Sequence, residues 1–373
     1  MRVFKKFLAL AFYLLLSGLR SGGGFAQEGI DVGGKINLPP GFEIQLFASD
    51  LGMARHMAVS PAGDLFVTDF TGGHVFVLPD KDGDGKADQR ITFAEGLDSP
   101  HTVAFFEEGI YVSVLDGVVR FTDKDGDLKG EDKKVVISGL PTGGRHYTKT
   151  ISFGPDGKLY LSIGSSCNVC EEKDPRLAAI LQYNVDGTGE KIFARGLRNS
   201  VGLAWHPQTG ELWAADNGRD HLGDNRPPEE INIIKEGGHY GWPYCYGQQK
   251  PNPEFKHRAD ICKETIPPTV ELQAHSAPLG LTFYTAKQFP EEYQGNLFVA
   301  FHGSFNRSVP TGYKVIRIKL VDRQPEKVED FATGWLVEGK AWGRPVDVVV
   351  GKDGALYVSD DLRGVIYRIF YKG

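Results

Sequence analysis

Six segments of this chain repeat one pattern: a polar residue, a short apolar strand, a turn, then a strand rich in Val, Leu, Phe and Tyr. They read RHMAVSPAGDLFVTDF (55–70), PHTVAFFEEGIYVSVL (100–115), RHYTKTISFGPDGKLYLSIG (145–164), RNSVGLAWHPQTGELWAADNG (198–218), HSAPLGLTFYTAKQFPEEYQGNLFVAFHG (275–303) and GRPVDVVVGKDGALYVSDD (343–361). The leading polar residues are spaced at roughly 45, 46, 52, 77 and 69 residues. Strand-only repeats of about 40 to 50 residues are the signature of a β-propeller. The reading is an all-β, six-bladed propeller with four-stranded antiparallel blades, occupying residues 27–373 as a single domain. Forty-seven glycines agree with a chain full of tight turns. A TIM barrel or doubly wound sheet needs strands alternating with helical periodicity, and that periodicity is missing.

In a propeller the first strand of each blade lines the central channel, so the residue that begins it faces the funnel at one end. Arg55 or His56, His101, His146, Arg198 with Asn199, His275 and Arg344 are therefore expected to converge. Cationic and imidazole groups gathered in one pocket suit an anionic ligand and proton-transfer chemistry.

Residues 1–26 carry a basic start (Arg2, Lys5, Lys6), an apolar run from Phe7 to about Leu16 and a small-residue site near Ala26, which together read as a secretory signal peptide. No other segment approaches the roughly 18 apolar residues of a membrane span. The full chain has 42 basic and 48 acidic residues, net −6; loss of the leader with its four basic residues makes the mature charge −10. So acidic a chain is a poor partner for nucleic acid. In an exported protein the local pairs Cys167–Cys170 and Cys245–Cys262 are expected to be disulfides. CNVCE lacks the His of a haem attachment pair, and two Cys without nearby His ligands make a weak zinc site. Trp205, Trp213 and Trp242 read as packing between blades, and His206, His221 and His257 as solvated loop residues. His302 ends a strand on a rim loop, and contact with a ligand there is left open.

Two stretches invite a hard cation. DKDGDGKAD places Asp80, Asp82, Asp84 and Asp88 at alternate loop positions, and DKDGDLKGE repeats this with Asp123, Asp125, Asp127 and Glu131. Neither has the bidentate Glu and flanking helices of an EF-hand, so each reads equally as a calcium loop or as an acidic hairpin tip.

The segment GLRNSVGLAWHPQTGELWAADNGRDHLGDNRPPEEINIIKEGGHYGWPYC resembles the pyrroloquinoline-quinone-dependent soluble glucose and sorbosone dehydrogenases. The resemblance runs from about residue 38 to the C-terminus, and CNVC and HGSFNRSVPTGYKV place it nearest the sorbosone and aldose sugar dehydrogenase branch. It implies an exported six-bladed quinoprotein that oxidises a sugar hydroxyl or aldehyde and passes electrons to a quinone or cytochrome acceptor, as a periplasmic or secreted monomer or homodimer. It implies His146 as the base, and Arg198, Asn199, Asn217 and Arg344 as residues that hold the quinone. It further implies a calcium on the backbone carbonyls of Gly218 and Arg219, and a structural calcium held by Glu230 and the Tyr240 carbonyl. Glucose dehydrogenases carry a second Arg where this chain has Val346.

The residue chemistry agrees independently. A flat ortho-quinone with three carboxylates needs Arg or Lys partners, which Arg198, Arg344, Arg307 and Lys314 offer. A neutral imidazole suits removal of an O–H proton. A calcium-dependent propeller lactonase and a non-catalytic binding propeller are the alternatives; the first would favour Glu, Asn and Asp in the channel, and the second needs no repeated His and Arg at one mouth.

Overall fold

The computed structural model describes residue 32 and residues 35–373; the expected signal peptide lies outside them. Six antiparallel sheets of four strands follow one another along the chain, and each of the six repeats supplies the first two strands of one blade. Blade 1 begins with Ala54–Val59, blade 2 with Val103–Phe106, blade 3 with Lys149–Phe153, blade 4 with Ser200–Trp205, blade 5 with Pro278–Phe283 and blade 6 with Pro345–Val350. These six inner strands neighbour one another in a closed ring around the channel. The propeller read from the repeats is the observed fold. No helix among the described residues is long and apolar enough to cross a membrane.

Each second strand is sandwiched between neighbouring blades, so both of its faces must be apolar. Leu65–Asp69, Leu159–Ile163, Leu212–Asp216, Leu297–Phe301 and Leu356–Asp360 are buried at every position. This is why they read as aliphatic runs rather than as alternating patterns. The outer strands meet solvent, as in Glu131–Ile137, where most positions are exposed or half-buried. Trp213 packs edge-on against Phe283 of the next blade at 5.5 Å and Trp205 against Tyr160 at 4.8 Å, as expected for residues between blades. His206 departs from its expectation of solvation: it is buried against Phe283, and its Nδ1 accepts from the Gln208 and Thr209 amides. The turn at 207–209 is exposed while the His206 ring reaches the next blade, which a local reading of turn residues does not reveal.

The ring closes with strands from both ends of the chain. In blade 6 the outer strand is Phe42–Ala48, paired antiparallel to Val365–Tyr371 from Phe42↔Tyr371 to Ala48↔Ile366. The two long intervals in the repeat are also explained. Between the third and fourth strands of blade 4, residues 235–269 form an excursion stapled by Cys245–Cys262, and its Gly238–His239 strand adds in parallel to the last strand of blade 3. Blade 5 spends its extra length on a rim loop at 302–313 and on two long outer strands, Lys314–Val321 and Gln324–Ala332.

Phe42 anchors the closing strand, with its ring edge-on to Phe289, Tyr293, Phe331 and Tyr371 at 4.7 to 5.1 Å. Removing it leaves a cavity at the junction between the two ends of the chain, so Phe42→Ala is expected to cost about 3 kcal/mol or more. Urea denaturation measures this, and a loss under about 1 kcal/mol would mean the seam does not hold the ring.

Candidate functional site

The mouth of the channel is shaped first by strand irregularity. The inner strands of blades 1, 4, 5 and 6 slip register at their first residues, as between Ser200 and Gly202 and between Pro345 and Val348. Such bulges bend the strand and re-aim the side chains that precede it. In blades 1, 4 and 6 a buried Asp ends the second strand and fastens a neighbouring turn. Asp216 accepts the amides of Asn199 (2.8 Å) and Arg198 (3.2 Å) and the Ser200 hydroxyl (2.8 Å). Asp69 accepts the amides of Met53 and Gly72 in blade 1, and Asp360 those of Leu362 and Arg363 in the turn that follows it in blade 6. Burial pushes the Asp216 carboxyl up to about 6 in spite of these donors.

The repeats' leading residues divide into three groups rather than meeting in one. His146, Arg198, Asn199 and His275, joined by Arg145, line a cleft of about 150 Å³ at the mouths of blades 3 to 5. His56 and His101 lie deeper, buried and edge-on at 4.6 Å, with His56 Nδ1 3.4 Å from Asp347 in the channel itself. On the side of blades 6 and 1, Arg55 (2.8 Å), Arg344 (2.6 Å) and His302 (3.1 Å) gather on the buried carboxylate of Asp361. Burial would raise that carboxyl, but the hydrogen bond and charge of His302, with Arg55 and Arg344, hold it well below the usual range. Full convergence fails because the arginines near a buried acid are drawn to it.

His146 sits where Gly164 permits. A Cβ on Gly164 would fall 2.5 Å from His146 Cβ and 2.6 Å from Asn199 Oδ1, so only Gly leaves room for both side chains where they stand. His146 Nδ1 lies 3.1 Å from the Ser165 carbonyl and 2.9 Å from the Ser165 hydroxyl. That hydroxyl spends its own proton on the Cys167 carbonyl at 2.8 Å, so both neighbours of Nδ1 are acceptors. The proton of the neutral ring is therefore on Nδ1, and the lone pair is on Nε2, which has no partner among the described residues. Burial first, then the charges of Arg198 and Arg145, lower the His146 pKa to about 3.

Arg198 is buried, yet its guanidinium is positioned on every side. Nε donates to the Asn168 carbonyl (3.1 Å), Nη2 to Asn168 Oδ1 (2.9 Å) and Nη1 to the Asn217 carbonyl (3.1 Å). A guanidinium has five N–H donors, and these bonds use three. Asp220 lies 3.6 Å from Arg198 and 2.7 Å from Arg145, a single carboxylate between two cations. Arg145 also lies over the exposed ring of Phe305 at 5.8 Å. The Asn199 side chain makes no hydrogen bond among the described residues, while Asn217 Nδ2 ties the Asn199 and Pro278 carbonyls. His275 holds a left-handed backbone (φ 62°) and donates from Nε2 to the Gly223 and Arg226 carbonyls at 3.0 and 3.1 Å.

The residues expected to hold cations stand in two places. Gly218 lines the cleft, and a Cβ there would meet Pro227 Cγ and the Pro228 carbonyl, both at 2.9 Å, so a bare backbone is required. Its amide donates to Glu229, which burial pushes up to about 7. Arg219 turns away, pairing with Glu254 at 2.5 Å. Glu230 lies outside the cleft, buried, accepting from Asn232 Nδ2 and the Gly247 amide, and burial pushes it up to about 8. Asn232 Oδ1 beside it is buried without a partner. A crowded acid next to an orphaned carbonyl oxygen fits a hard cation. Tyr240 joins the packing of blades 3 and 4, its hydroxyl donating to the Ile233 carbonyl.

Other expected residues stand elsewhere. Arg307 ties the rim, donating to the Asp224 and Val309 carbonyls, and Lys314 pairs with Asp330 at 2.5 Å on the outer strands of blade 5. Neither lines the cleft. The two Asp-rich loops fold alike: Asp80 caps Gly83 and Gly85 as Asp123 caps Gly126 and Leu128. Oxygens of Asp80, Asp82 and Asp88, and of Asp123, Asp125 and Asp127, come within 4.8 Å of one another, while Asp84 caps the Lys86 amide. Both expected disulfides are formed. Roomier clefts of about 370 and 720 Å³ open around His239, but its Nδ1 lone pair is taken by the Gly241 amide at 3.0 Å, so it offers no base. Ser165, Asn168, Asp220, Glu229 and Phe305 were not anticipated from sequence, because none begins a repeat.

The family model described as TrAA12-like matches residues 36–372. An uncharacterized protein of Borreliella burgdorferi is 32% identical over 90% of this chain and 91% of its own length. A pyrroloquinoline quinone-dependent sugar dehydrogenase of Hypocrea jecorina is 24% identical over 71% of this chain and 72% of its own. Among solved structures, a Trichoderma reesei enzyme of Carbohydrate-Active Enzymes Family AA12 superposes with a TM-score of 0.78 at 22% identity, covering 90% of this chain and 98% of its own, a likeness of fold.

The depressed His146 pKa has a consequence for stability. The unfolded chain takes up a proton near pH 6.5 and the folded ring only near 3, so this contribution is present above about pH 6.5 and is lost as pH falls toward 3. His146→Gln should therefore lose less stability between pH 7 and pH 4 than the wild type, by on the order of 1 to 3 kcal/mol. Parallel urea melts at the two pH values measure the difference, and identical slopes would show that His146 titrates normally.

Proposed function

The chain belongs to the TrAA12-like family, and from that premise we propose that it is a pyrroloquinoline-quinone-dependent sugar dehydrogenase whose general base is His146. The observation that carries the reading is the locked imidazole: Nδ1 is committed to Ser165, and Nε2 is left bare in a cleft that also holds Arg145 and Arg198. When bound, the quinone supplies the carbonyl that accepts hydride, and a calcium ion beside it polarises that carbonyl.

The chain's own residues do the rest. His146 Nε2 takes the hydroxyl proton of the sugar as hydride leaves carbon. Arg198 would offer its two remaining N–H groups to cofactor carboxylates, and Asn199 would offer an uncommitted amide. The Gly218 and Arg219 carbonyls would hold the calcium of the reaction; Glu230, Asn232 Oδ1 and the Tyr240 carbonyl would hold a structural one. Residues 1–26 direct export, and a periplasmic or secreted site agrees with two disulfides. A lactonase would need carboxylates free to ligate metal, whereas Asp220 is engaged by Arg145 and Glu229 by two backbone amides.

The test is reconstitution of the purified protein with the quinone and calcium, followed by assay of aldoses with an artificial electron acceptor. Turnover is expected with wild type and a loss of roughly 10² to 10⁴ in His146→Gln at unchanged quinone affinity. Near wild-type activity in that variant would remove His146 from the mechanism.

Arg198 gives a graded prediction. Arg198→Lys keeps the charge without the fork, and Arg198→Ala loses both. Truncating one member of a desolvated charge pair costs about 2 to 5 kcal/mol, so the Ala variant's quinone Kd should rise about thirtyfold to several thousandfold, with Lys intermediate. Equal affinities by calorimetry would mean that Arg198 does not meet the cofactor.

A further inference from the structure

The connection from Ile163 to Ala179 in blade 3 is long, and its first half does something no strand does: it touches both the imidazole and the guanidinium of the cleft. Ser165 receives the His146 Nδ1–H, and its own amide donates to the Arg198 carbonyl at 2.8 Å. Three residues on, Asn168 uses every polar atom it has outside its own amide. Its Oδ1 accepts from Arg198 Nη2 (2.9 Å) and from the Asp220 amide (2.9 Å), and its Nδ2 donates to the Asp220 carbonyl (3.2 Å). Its main-chain carbonyl accepts from Arg198 Nε (3.1 Å) and Trp242 Nε1 (3.2 Å). The side-chain amide thus pairs with the backbone of Asp220 as a neighbouring strand would, and joins blade 3 to the turn of blade 4 where no strand reaches.

Asn168 lies inside the ring closed by Cys167–Cys170. That ring is fixed at both ends. The Cys167 carbonyl takes the Ser165 hydroxyl proton, and Glu172 accepts the amide and hydroxyl of Ser166 at 2.7 Å each. The loop is too short to carry a core of its own, so the cross-link and these bonds are what hold Asn168 against Arg198.

The geometry points to Asn168, clipped by the Cys167–Cys170 disulfide, as the positioning residue of the cleft: it sets the direction of the Arg198 fork and, through Ser165 and Cys167, is linked to the group that fixes the His146 tautomer. Asn168 touches no reacting atom. Its effect on the cofactor runs through Arg198 and so rests on the function proposed above, but its effect on Arg198 does not.

Two readouts separate these. In the apo protein, hydrogen exchange of the Arg198 Nη2–H, which donates to Asn168 Oδ1 and whose signal is lost in Arg198→Lys, reports the fork directly. Asn168→Ala, and separately the double variant Cys167→Ser with Cys170→Ser, should each speed that exchange tenfold or more with the circular dichroism spectrum unchanged. Asn168→Asp keeps the acceptor for Arg198 and should stay within threefold of wild type, a rescue that a merely structural role would not give. With pyrroloquinoline quinone and calcium added, Asn168→Ala should raise the quinone Kd about ten- to a hundredfold, while kcat at saturating quinone changes less than threefold. Exchange in Asn168→Ala within twofold of wild type would overturn the proposal whatever the quinone does. Fast exchange in that variant together with no quinone binding by the wild type would uphold the positioning role and overturn the cofactor reading instead.

Discussion

The pairing of Phe42–Ala48 with Val365–Tyr371 is the contact on which the rest of the molecule depends. Each blade alone exposes two apolar faces, and only a closed ring covers all of them. An open ring would also leave an unpaired edge in blade 6, the kind of edge that promotes aggregation. Closure fixes the width of the channel, and hence how near the turns of blades 3, 4 and 5 come to one another. His146, Arg198 and His275 are far apart in sequence and share a cleft because of that closure.

Electrostatics then decides which mouth residues remain available. Buried carboxylates hold several of the turns, and they do so unequally. Asp216 spends its oxygens on backbone amides and a hydroxyl, which leaves the Arg198 guanidinium free to be set by carbonyls and by Asn168. Asp361 instead draws in Arg55, Arg344 and His302. Arg344 nonetheless engages Asp361 through Nε alone, and its two Nη groups have no partner among the described residues. The blade 6 side is thus a closed ion cluster with one open fork, and the blade 3 to 5 side is an open cleft.

Much of the fold was legible because a propeller writes its period into the chain: each repeat carries its own inner strand, turn and buried second strand. The closing strand was not legible, since Phe42–Ala48 belongs to a blade whose other strands lie some 300 residues later and nothing local marks it as an outer strand. Within the site, His146, Arg198 and Asn199 announced themselves by position at the head of a strand. Arg307 and Lys314 were read from charge alone, and charge does not say which carbonyl or carboxylate is nearer. Ser165, Asn168 and Asp220 lie in loops whose sequence specifies no contact, and their roles arise only when blades 3 and 4 meet. His206 failed as a loop residue for the related reason that its ring packs on Phe283 of the next blade while the turn it begins stays exposed.

The central claim is that the fold fixes one tautomer of His146 and leaves the other nitrogen bare. Long-range proton–nitrogen correlation spectra of the apo protein at neutral pH, assigned with His146→Gln, measure this directly. The account predicts a neutral ring with a protonated Nδ1 and a pyridine-like Nε2 that shows no titration between pH 7 and 5, since burial and the two arginines lower its pKa to about 3. A ring protonated on Nε2, or one that titrates near its ordinary value of about 6.5, would contradict it.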